Sequence, residues 1–600
     1  MPLNELTSQL GIHRAAHLLR RVTFGATKQQ IDAFAALTPQ QAVNILFNTN
    51  LPDPELPLDL KTNAEWVISG NTDANSNDEA LRDYFKAWYI GQMLSIGITD
   101  DNLKLAYAAR ERITFFLHTH FTTMEEKVNS SRALYFQNAL FRLFALDKDD
   151  ELVEIIDEET GQSQVETAPR NFKELTKKFS LDNATLRFLD GNLNVKGAPN
   201  ENYAREMFEL FTVGRGLEAV VNEQTSDEVG DYFTFKEQDV QAAARVLTGF
   251  KFDNEFNTID QYTGLPQGKA NPGSHSTQAS EKEFSEYYNG EVIDQDAILL
   301  ENGQPSQESM IDEVGRMIDM IYENEETAKH ICRKIYRFFV YYDITEEINN
   351  TIIEDMAQVF VSNNYKLQPV LEALFKSEYF YEASTDITDD KFGGIIKSPL
   401  DLVLGSHLFF ETSIPDYTTE LEQFYEFING QVIAKLENQG MNFYEPYEVA
   451  GYGAYHQYPV FNRNWISTNY LAYRYQFISR LFTPSSEDAL PLINLLDFVK
   501  ENFSSEGEDA KQLIISMAPY LLPVAQNLDF DSDLDGRGMT KERLRFFLQT
   551  FIQYNDYNTD ADAQNLIWHD LYVNNNYDDA GIYLNRLFNS MLQSPEYQLF

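Results

Sequence analysis

The chain has 600 residues, of which 43% are hydrophobic, 23% charged and 13% aromatic. This composition excludes an intrinsically disordered chain, a collagen-like repeat and a small disulfide scaffold. The 47 Lys and Arg residues stand against 93 Asp and Glu, which gives a formal net charge of −46. Because such a surface repels phosphate backbones and anionic lipids, we expect no nucleic acid or anionic membrane surface among its partners.

The amino-terminal residues predict neither a signal peptide nor a membrane span. The first 22 residues lack a basic region followed by an apolar core of about 7–15 residues. The most apolar stretches, such as 103–121, contain charged residues, whereas a spanning helix needs about 20 mostly apolar positions. From the residues alone, a cytoplasmic location is the default expectation.

Apolar residues recur at spacings of three and four through most of the chain, which is typical of amphipathic helices. The pattern predicts helices over 15–22, 81–94, 103–120, 203–212, 240–250, 311–322, 328–340, 369–375, 465–481, 513–525, 544–554 and 583–592. Candidate amino-terminal caps precede several of them, including Thr27, Asn77 and Thr540. The sequence therefore predicts an all-α protein.

Two stretches, 215–235 and 250–300, lack this period and are rich in Gly, Pro, Asn and Ser. We expect small hairpins or long ordered loops there. The acidic stretches 148–168 and 383–391 are expected to be surface excursions. The predicted fold is a large multi-helix globular protein with a small irregular or β insert. Its helical halves, 1–250 and 301–600, flank the insert at 251–300 and pack together, as two domains or as one.

The segment 531–542, DSDLDGRGMTKE, has the spacing of a twelve-residue calcium loop. Alternate carboxylates converge on one hard cation, a glycine allows the sharp turn, and position 7 offers its backbone carbonyl. The ligand positions 1, 3, 5, 7 and 12 are Asp531, Asp533, Asp535, Arg537 and Glu542. Calcium bound here would be structural, because no second hand is evident; the alternative is an acidic loop that caps a helix.

A second candidate metal site combines His118 and His120 with Glu206 and Glu209. Two histidines and one or two carboxylates suit zinc, iron or manganese. The histidines can share an ion only if their helix ends there, because residues two apart lie about 200° apart around the axis. In the alternative, Arg205 pairs with a neighbouring glutamate and the histidines pack in the core. Calcium is the favoured cofactor, and a transition metal is second.

The segment 444–465, named here the aromatic segment, contains seven Tyr, Phe and Trp residues among 22 positions. Rings with polar tips tolerate partial exposure, so the segment could be a stacking platform for carbohydrate or another planar ligand. The alternative, which we favour, is an ordered loop folded over the helical core.

Eight motifs in order resemble the hallmarks of the bacterial domain-of-unknown-function 1800 family. They are AAHLLRRVTFGAT at 15–27, FFLHTHFTT at 115–123, KGAPNENYAREMFELFTVGRG at 196–216, QDVQAAARVLTGF at 238–250, KHICRKIYRFFV at 329–340, GGIIKSPLDLVLG at 393–405, GMNFYEPYEVAGY at 440–452 and LQSPEYQLF at 592–600. The resemblance spans essentially the whole chain. It departs at Ser276, where relatives often have Asp, and at Tyr452, where they tend to have Trp.

The resemblance implies little about activity, because the family's biochemical function is not established. It implies a bacterial protein, exported or located in the cell envelope. It also implies a partner protein, since family members are often encoded beside a second family that resembles phosphatases and sulfatases.

Two functional hypotheses follow. In the first, the chain is a binding or scaffold protein that acts with a partner protein and holds a structural calcium ion. In the second, it is a metal-dependent hydrolase or oxidase that uses the histidine and glutamate site.

Overall fold

The computed structural model describes residues 3–68, 75–156, 162–221, 231–382, 394–484, 491–525, 528–531, 539–554 and 560–600. These residues are mostly helical, and the strands among them form three small two-stranded sheets. The predicted fold class is therefore confirmed. None of the described helices has the length and apolar character needed to cross a membrane.

The part of the chain that precedes the insert contains helices α1 to α12. They are α1 Gly11–Val22, α2 Lys28–Ala35, α3 Pro39–Leu46, α4 Asp78–Met93, α5 Asp101–His120, α6 Glu125–Val128, α7 Ser131–Ala145, α8 Phe172–Phe179, α9 Asn183–Phe188, α10 Glu201–Glu206, α11 Glu218–Val221 and α12 Glu237–Val246. A π-helical turn, Met207–Phe211, directly continues α10.

The part that follows the insert contains helices α13 to α27. They are α13 Gln307–Tyr322, α14 Glu325–Phe339, α15 Glu346–Ile348, α16 Glu354–Ser362, α17 Leu367–Lys376, α18 Pro399–Phe409, α19 Leu421–Phe427, α20 Ala434–Asn438, α21 Gly453–His456, α22 Thr468–Phe482, α23 Leu495–Asn502, α24 Ala510–Leu521, α25 Lys541–Ile552, α26 Ala561–Val573 and α27 Tyr577–Leu592.

The strands pair as three antiparallel ribbons: β1 Leu58–Asp59 with β2 Ala64–Glu65, β3 Glu151–Ile156 with β4 Ser163–Ala168, and β5 Phe250–Lys251 with β6 Lys269–Ala270. The third ribbon lies in the predicted insert, as expected. The second forms the acidic excursion, which sequence analysis placed on the surface without predicting strands. Leu152 and Val165 are exposed on this ribbon, so it lacks the one-sided apolar pattern that marks a half-buried strand.

The predicted caps begin their helices as expected. The side chains of Thr27, Asn77 and Thr540 accept hydrogen bonds from backbone N–H groups three residues later. Each cap satisfies one of the donors that an α-helix leaves unpaired at its amino terminus.

Buried apolar residues before, within and after the insert form one contiguous cluster that extends from Leu6 to Tyr597. Helix α5 lies inside this core, and every residue from 105 to 118 is buried. Its charged residues are paired: Glu111 accepts two hydrogen bonds from Arg142 of α7, at 2.8 and 2.7 Å, and Arg112 pairs with Asp401 of α18. The division at 250 and 300 stays a prediction.

Candidate functional site

The two histidines of the predicted metal site lie in different surroundings. His118 is fully buried, stacks on Tyr444 with 3.9 Å between ring centroids, and has no hydrogen-bond partner at either nitrogen. Burial lowers its pKa to about 3. The Nε2 of His120 lies 3.0 Å from the carbonyl oxygen of Phe211. Each ring is therefore held by packing or by the backbone.

The two glutamates of that site do not complete it. Glu209 pairs with Arg215 at 2.6 Å. Burial, together with the neighbouring charge of Glu209, raises the pKa of Glu206 to about 7. Among the described residues, no three His, Cys, Asp or Glu side chains lie close enough together to hold a metal ion. The expected grouping of His118, His120, Glu206 and Glu209 is thus absent, because the histidines turn to the core and Glu209 turns to Arg215.

The calcium loop lies largely outside the described residues. Asp533, Asp535 and Arg537 fall in 532–538, which the structure does not describe. At its two ends, the backbone N–H of Asp531 donates to Asp529, and Glu542 lies in the first turn of α25. Calcium binding stays a prediction.

Four of the family-like motifs meet around one small cavity. Its walls come from the end of α5, from α14 and from the aromatic segment, and consist of Phe116, Thr119, His120, Lys334, Phe338, Ala450, Tyr455 and His456. The fourth motif, 196–216, supplies backbone carbonyls to the same side chains. The cavity has a volume of about 20 Å³, which has room for one water molecule or one small chemical group.

The π-helical turn after α10 explains why carbonyl groups point at these side chains. A π turn widens the helix and leaves carbonyls outside the ordinary ladder, and such turns are frequent at functional sites. The carbonyl oxygen of Leu210 accepts a hydrogen bond of 2.7 Å from the Nζ of Lys334 and lies 3.3 Å from the Nε2 of His330. The carbonyl oxygen of Phe211 lies 3.0 Å from the Nε2 of His120. Side chains of α5 and α14 therefore satisfy the carbonyls at the end of the turn.

The cavity is basic in a protein whose net charge is strongly negative. Its lining contains one lysine and two histidines and, among the described residues, no carboxylate. Burial and the charge of Arg337 lower the pKa of Lys334 to about 7. Burial and the nearby Lys334 lower the pKa values of His120 and His456. The Nδ1 of His120 and the Nε2 of His456 are buried and have no hydrogen-bond partner. The Nε2 of His456 lies 3.8 Å from a carboxylate oxygen of Glu448, which is outside the cavity lining.

Two glycines allow the walls to approach this closely. Gly214 and Gly451 have φ angles of +67° and +100°, which disfavour residues with a side chain. A Cβ at Gly214 would lie 2.1 Å from the Nδ1 of His330, and one at Gly451 would lie 2.6 Å from the Oγ1 of Thr122. The aromatic segment can therefore close over the end of α5 only with glycine at 451.

The aromatic segment folds over the core, as favoured from sequence, and also presents rings to solvent. Tyr444, Tyr452 and Trp465 are buried, and Tyr455 lines the cavity. Tyr447 is 72% exposed and Tyr458 is 43% exposed. The same short segment thus forms one wall of the basic cavity and carries two exposed aromatic rings.

A second cluster of charged side chains lies in the insert and is completely enclosed. Glu313 of α13 accepts a hydrogen bond from the Nζ of Lys282 and lies 3.2 Å from the Nε2 of His275. All three residues are buried. Ser276, which follows the histidine, donates its backbone N–H to the Oγ1 of Thr248.

Sequence reasoning missed Lys334, His330 and His456 as one group. His330 and Lys334 lie in the motif 329–340, whereas His456 lies in the aromatic segment more than 100 residues later, so their spacing in the chain carries no signal. The spacing of apolar residues over 328–340 predicted a core helix there. A lysine on such a helix is ordinarily expected on its solvent-exposed face. The quoted motifs themselves were the available signal, because four of them supply the walls and carbonyls of the cavity.

Comparison with known proteins supports the resemblance drawn from the motifs. The model of the family described as "Protein of unknown function (DUF1800)" matches residues 17–599. Neither the curated proteins nor the solved structures contain a match. The chain belongs to the DUF1800 family.

Proposed function

We propose that this protein is a binding protein whose site is the cavity between α5, α14 and the aromatic segment. The cavity receives a single anionic group, a carboxylate or a phosphate, and Lys334 is its main contact. The observation that carries the proposal is a buried lysine in a cavity whose described lining contains two imidazole rings and no carboxylate.

The electrostatics favour an anion over a cation. The protein carries a net charge of −46, so most of its surface repels anions. The cavity differs from the rest of the protein because its described lining contains basic side chains and no carboxylate. Burial lowers the effective dielectric constant around Lys334, which strengthens its attraction to an anion and offsets part of the cost of removing water from the ligand. A carboxylate at Lys334 would gain a charge-assisted hydrogen bond, which is about twice as strong as a neutral one.

The size of the cavity restricts how a ligand binds. A volume of about 20 Å³ accommodates an end group and not a whole metabolite. The remainder of the ligand lies outside, against the exposed rings of Tyr447 and Tyr458. Such rings favour an apolar or aromatic body. The ligand class is therefore a molecule with an anionic end and an apolar body.

The anionic group has two sources, a free small molecule or an acidic side chain of a partner protein. A partner that resembles phosphatases or sulfatases is proposed from the family resemblance alone.

A structural calcium ion at 531–542 is proposed from the spacing of its carboxylates. The metal-dependent hydrolase or oxidase has lost the geometric basis it had in His118, His120, Glu206 and Glu209.

Calorimetric titration with three small probes tests the proposal. Benzoate has a carboxylate and an aromatic body, inorganic phosphate has only the charge, and benzamide has the body without the charge. We expect benzoate to bind, phosphate to bind more weakly, and benzamide to give no heat. The Lys334→Gln variant should weaken benzoate binding by at least about tenfold, which corresponds to about 1.4 kcal/mol.

Lys329→Gln is the matched control, because Lys329 lies on the same helix and pairs with Glu354 outside the cavity. It should bind benzoate as the parent protein does. Equal benzoate affinity in the parent and Lys334→Gln would refute the proposal. If all three probes fail while an acidic peptide or protein partner binds in a Lys334-dependent manner, the group comes from a partner.

A further inference from the structure

A second, separate cavity lies between α1, α18, α24 and the last residues of the chain, and we name it the inner chamber. Its walls combine apolar side chains with a few charged ones. The apolar part is supplied by Ala16, Leu19, Phe24, Ile31, Phe409 and Leu521. The charged part consists of Arg20, Lys397 and Asp401. Its volume of about 40 Å³ has room for about three water molecules.

The surroundings of the inner chamber hold more buried positive than negative side chains. Lys397, Arg21, Arg112 and Arg474 are each at least 94% buried, and Asp401 lies among them. The guanidinium groups of Arg21 and Arg112 both lie within 6 Å of the centre of the Phe600 ring. A buried cation without a counter-charge is costly, since burial removes its hydration. Around the chamber, buried basic side chains therefore outnumber the buried carboxylate of Asp401.

Asp401 is the one acidic side chain among the described lining residues, and both of its oxygens already have partners in the protein. One oxygen pairs with Arg112. The other accepts a hydrogen bond of 2.6 Å from the Oγ of Ser398 and one of 3.1 Å from the Ser398 backbone N–H. These bonds cap α18. Asp401 is thus a structural residue that leaves Arg20 and Lys397 without an acidic partner in the chamber.

Lys397 is the group that points to a ligand. Its side chain lines the chamber, and its Nζ lies 3.8 Å from the centre of the Tyr597 ring. Among the described residues, no acceptor or carboxylate pairs with this ammonium. The Nη2 of Arg20 donates a hydrogen bond to the carbonyl oxygen of Tyr520. Burial and the charges of Arg20 and Arg474 lower the pKa of Lys397 well below its usual value, and the charge of Asp401 opposes this shift only in part.

Several buried nitrogens behind the chamber also lack acceptors. They are the Nε and Nη2 of Arg21, the Nε of Arg112 and the Nη1 of Arg474. Native proteins pair most buried donors, so a group of unpaired guanidinium nitrogens beside a cavity requires an explanation. An anion in the chamber supplies negative charge to the whole group, even where it contacts only Lys397 and Arg20.

We propose that the inner chamber is a second binding site, which holds a small carboxylate anion between Lys397 and Arg20. The carboxylate oxygens accept hydrogen bonds from the two cations, and the short hydrocarbon part lies against Leu19, Phe24 and Leu521. The apolar walls distinguish this ligand from inorganic phosphate, which would leave polar oxygens against them. The site is distinct from the cavity at Lys334 and shares no lining residue with it.

Calorimetric titration of the full chain with acetate, in a buffer free of other carboxylates, tests this site. We expect acetate to bind the parent protein. Lys397→Met keeps the length of the side chain and removes its charge, and it should weaken acetate binding at least tenfold. Lys148→Met, at an exposed lysine, should leave acetate binding unchanged. Benzoate binding at the other cavity should be the same in Lys397→Met and in the parent.

Acetate should also raise the melting temperature of the parent and not that of Lys397→Met. If Lys397→Met does not fold, Arg20→Gln takes its place, because Arg20 is only partly buried. Absence of acetate binding by the parent, or tenfold tighter binding of phosphate than of acetate in the Lys334→Gln variant, would overturn the proposal. Acetate affinity that is unchanged in a folded Lys397→Met or Arg20→Gln variant would also overturn it.

Discussion

The Nζ of Lys334 donates a hydrogen bond of 2.7 Å to the carbonyl oxygen of Leu210, at the end of the π-helical turn 207–211. This bond uses one of the three hydrogens of the ammonium group. The others remain directed at the surroundings, which include the cavity and the rings of His120 and His456. The bond to the backbone therefore orients the lysine and leaves it with further N–H donors. This arrangement suits a ligand that accepts hydrogen bonds.

Benzoate binding should weaken as the pH rises. The pKa of Lys334 is about 7, so its ammonium is mostly charged at pH 6 and mostly neutral at pH 9. Burial lowers the pKa values of the neighbouring histidines, His120 and His456, and so favours their neutral forms, while benzoate stays charged. Affinity at pH 9 should be at least about tenfold lower than at pH 6, as measured by calorimetry. In Lys334→Gln the affinity should not change with pH, and a parallel decline there would contradict the assignment.

His118→Phe should make stability less sensitive to acid. The folded-state pKa of His118 is about 3, against about 6.5 in an unfolded chain. Between these two pH values the unfolded state binds more protons than the folded state. The contribution of His118 to the free energy of unfolding is therefore complete above pH 6.5 and is lost as the pH falls toward 3. The loss amounts to about 1.4 kcal/mol per pH unit for this one group.

Urea unfolding of the parent and His118→Phe at pH 7, 6 and 5 measures this difference. The free energy of unfolding of the parent should fall more steeply, while the two proteins should differ by less than about 1.5 kcal/mol at pH 7, since a ring replaces a ring against Tyr444. Parallel curves would show that His118 is not buried in its neutral form.

The helical fold and its caps were predictable because they depend on local patterns. Apolar spacing placed α5 and α14, and Thr27, Asn77 and Thr540 capped the helices expected of them. The ribbon β3–β4 was not predictable, since its exposed Leu152 and Val165 give no alternating pattern. Strand pairing in a solvated ribbon depends on cross-strand partners, which periodicity does not report.

The candidate site was predictable only in part. His120 was singled out from sequence as a candidate metal ligand together with His118, Glu206 and Glu209, and in the structure it lines the cavity beside Lys334. Its actual neighbours, Lys334 and His456, reach it through tertiary packing of α14 and the aromatic segment. The π turn that directs the carbonyl of Phe211 at His120 has no recognisable sequence signal. Long-range packing and helix irregularity are therefore what sequence reasoning lacked.

Glu111→Gln should be strongly destabilising. Glu111 is fully buried and binds Arg142 through both carboxylate oxygens and Arg110 through one. Removal of its charge leaves two buried guanidinium groups without compensation, which costs about 3–5 kcal/mol. Asp190→Asn, at the exposed pair with Lys127, should cost less than about 1 kcal/mol. Comparison of the urea unfolding midpoints checks both values, and similar losses in the two variants would contradict the account.

The segment 531–542 should bind one calcium ion per chain. Titration of the metal-free protein with calcium should release heat with a stoichiometry of one. Asp533→Asn combined with Asp535→Asn should abolish it, because two of the carboxylates at alternate positions are lost. Glu437→Gln combined with Asp509→Asn changes the net charge equally outside the segment and should retain binding. Absence of calcium-dependent heat in the parent protein would dismiss the calcium loop.

A crystal structure of the protein soaked with 4-bromobenzoate tests the central claim most directly, because the anomalous signal of bromine locates the ligand without a prior assumption. The account predicts a carboxylate oxygen at about 2.7–3.2 Å from the Nζ of Lys334, with the ring outside the cavity beside Tyr447 or Tyr458. Bromine sites elsewhere, with the cavity beside Lys334 free of ligand, would contradict it.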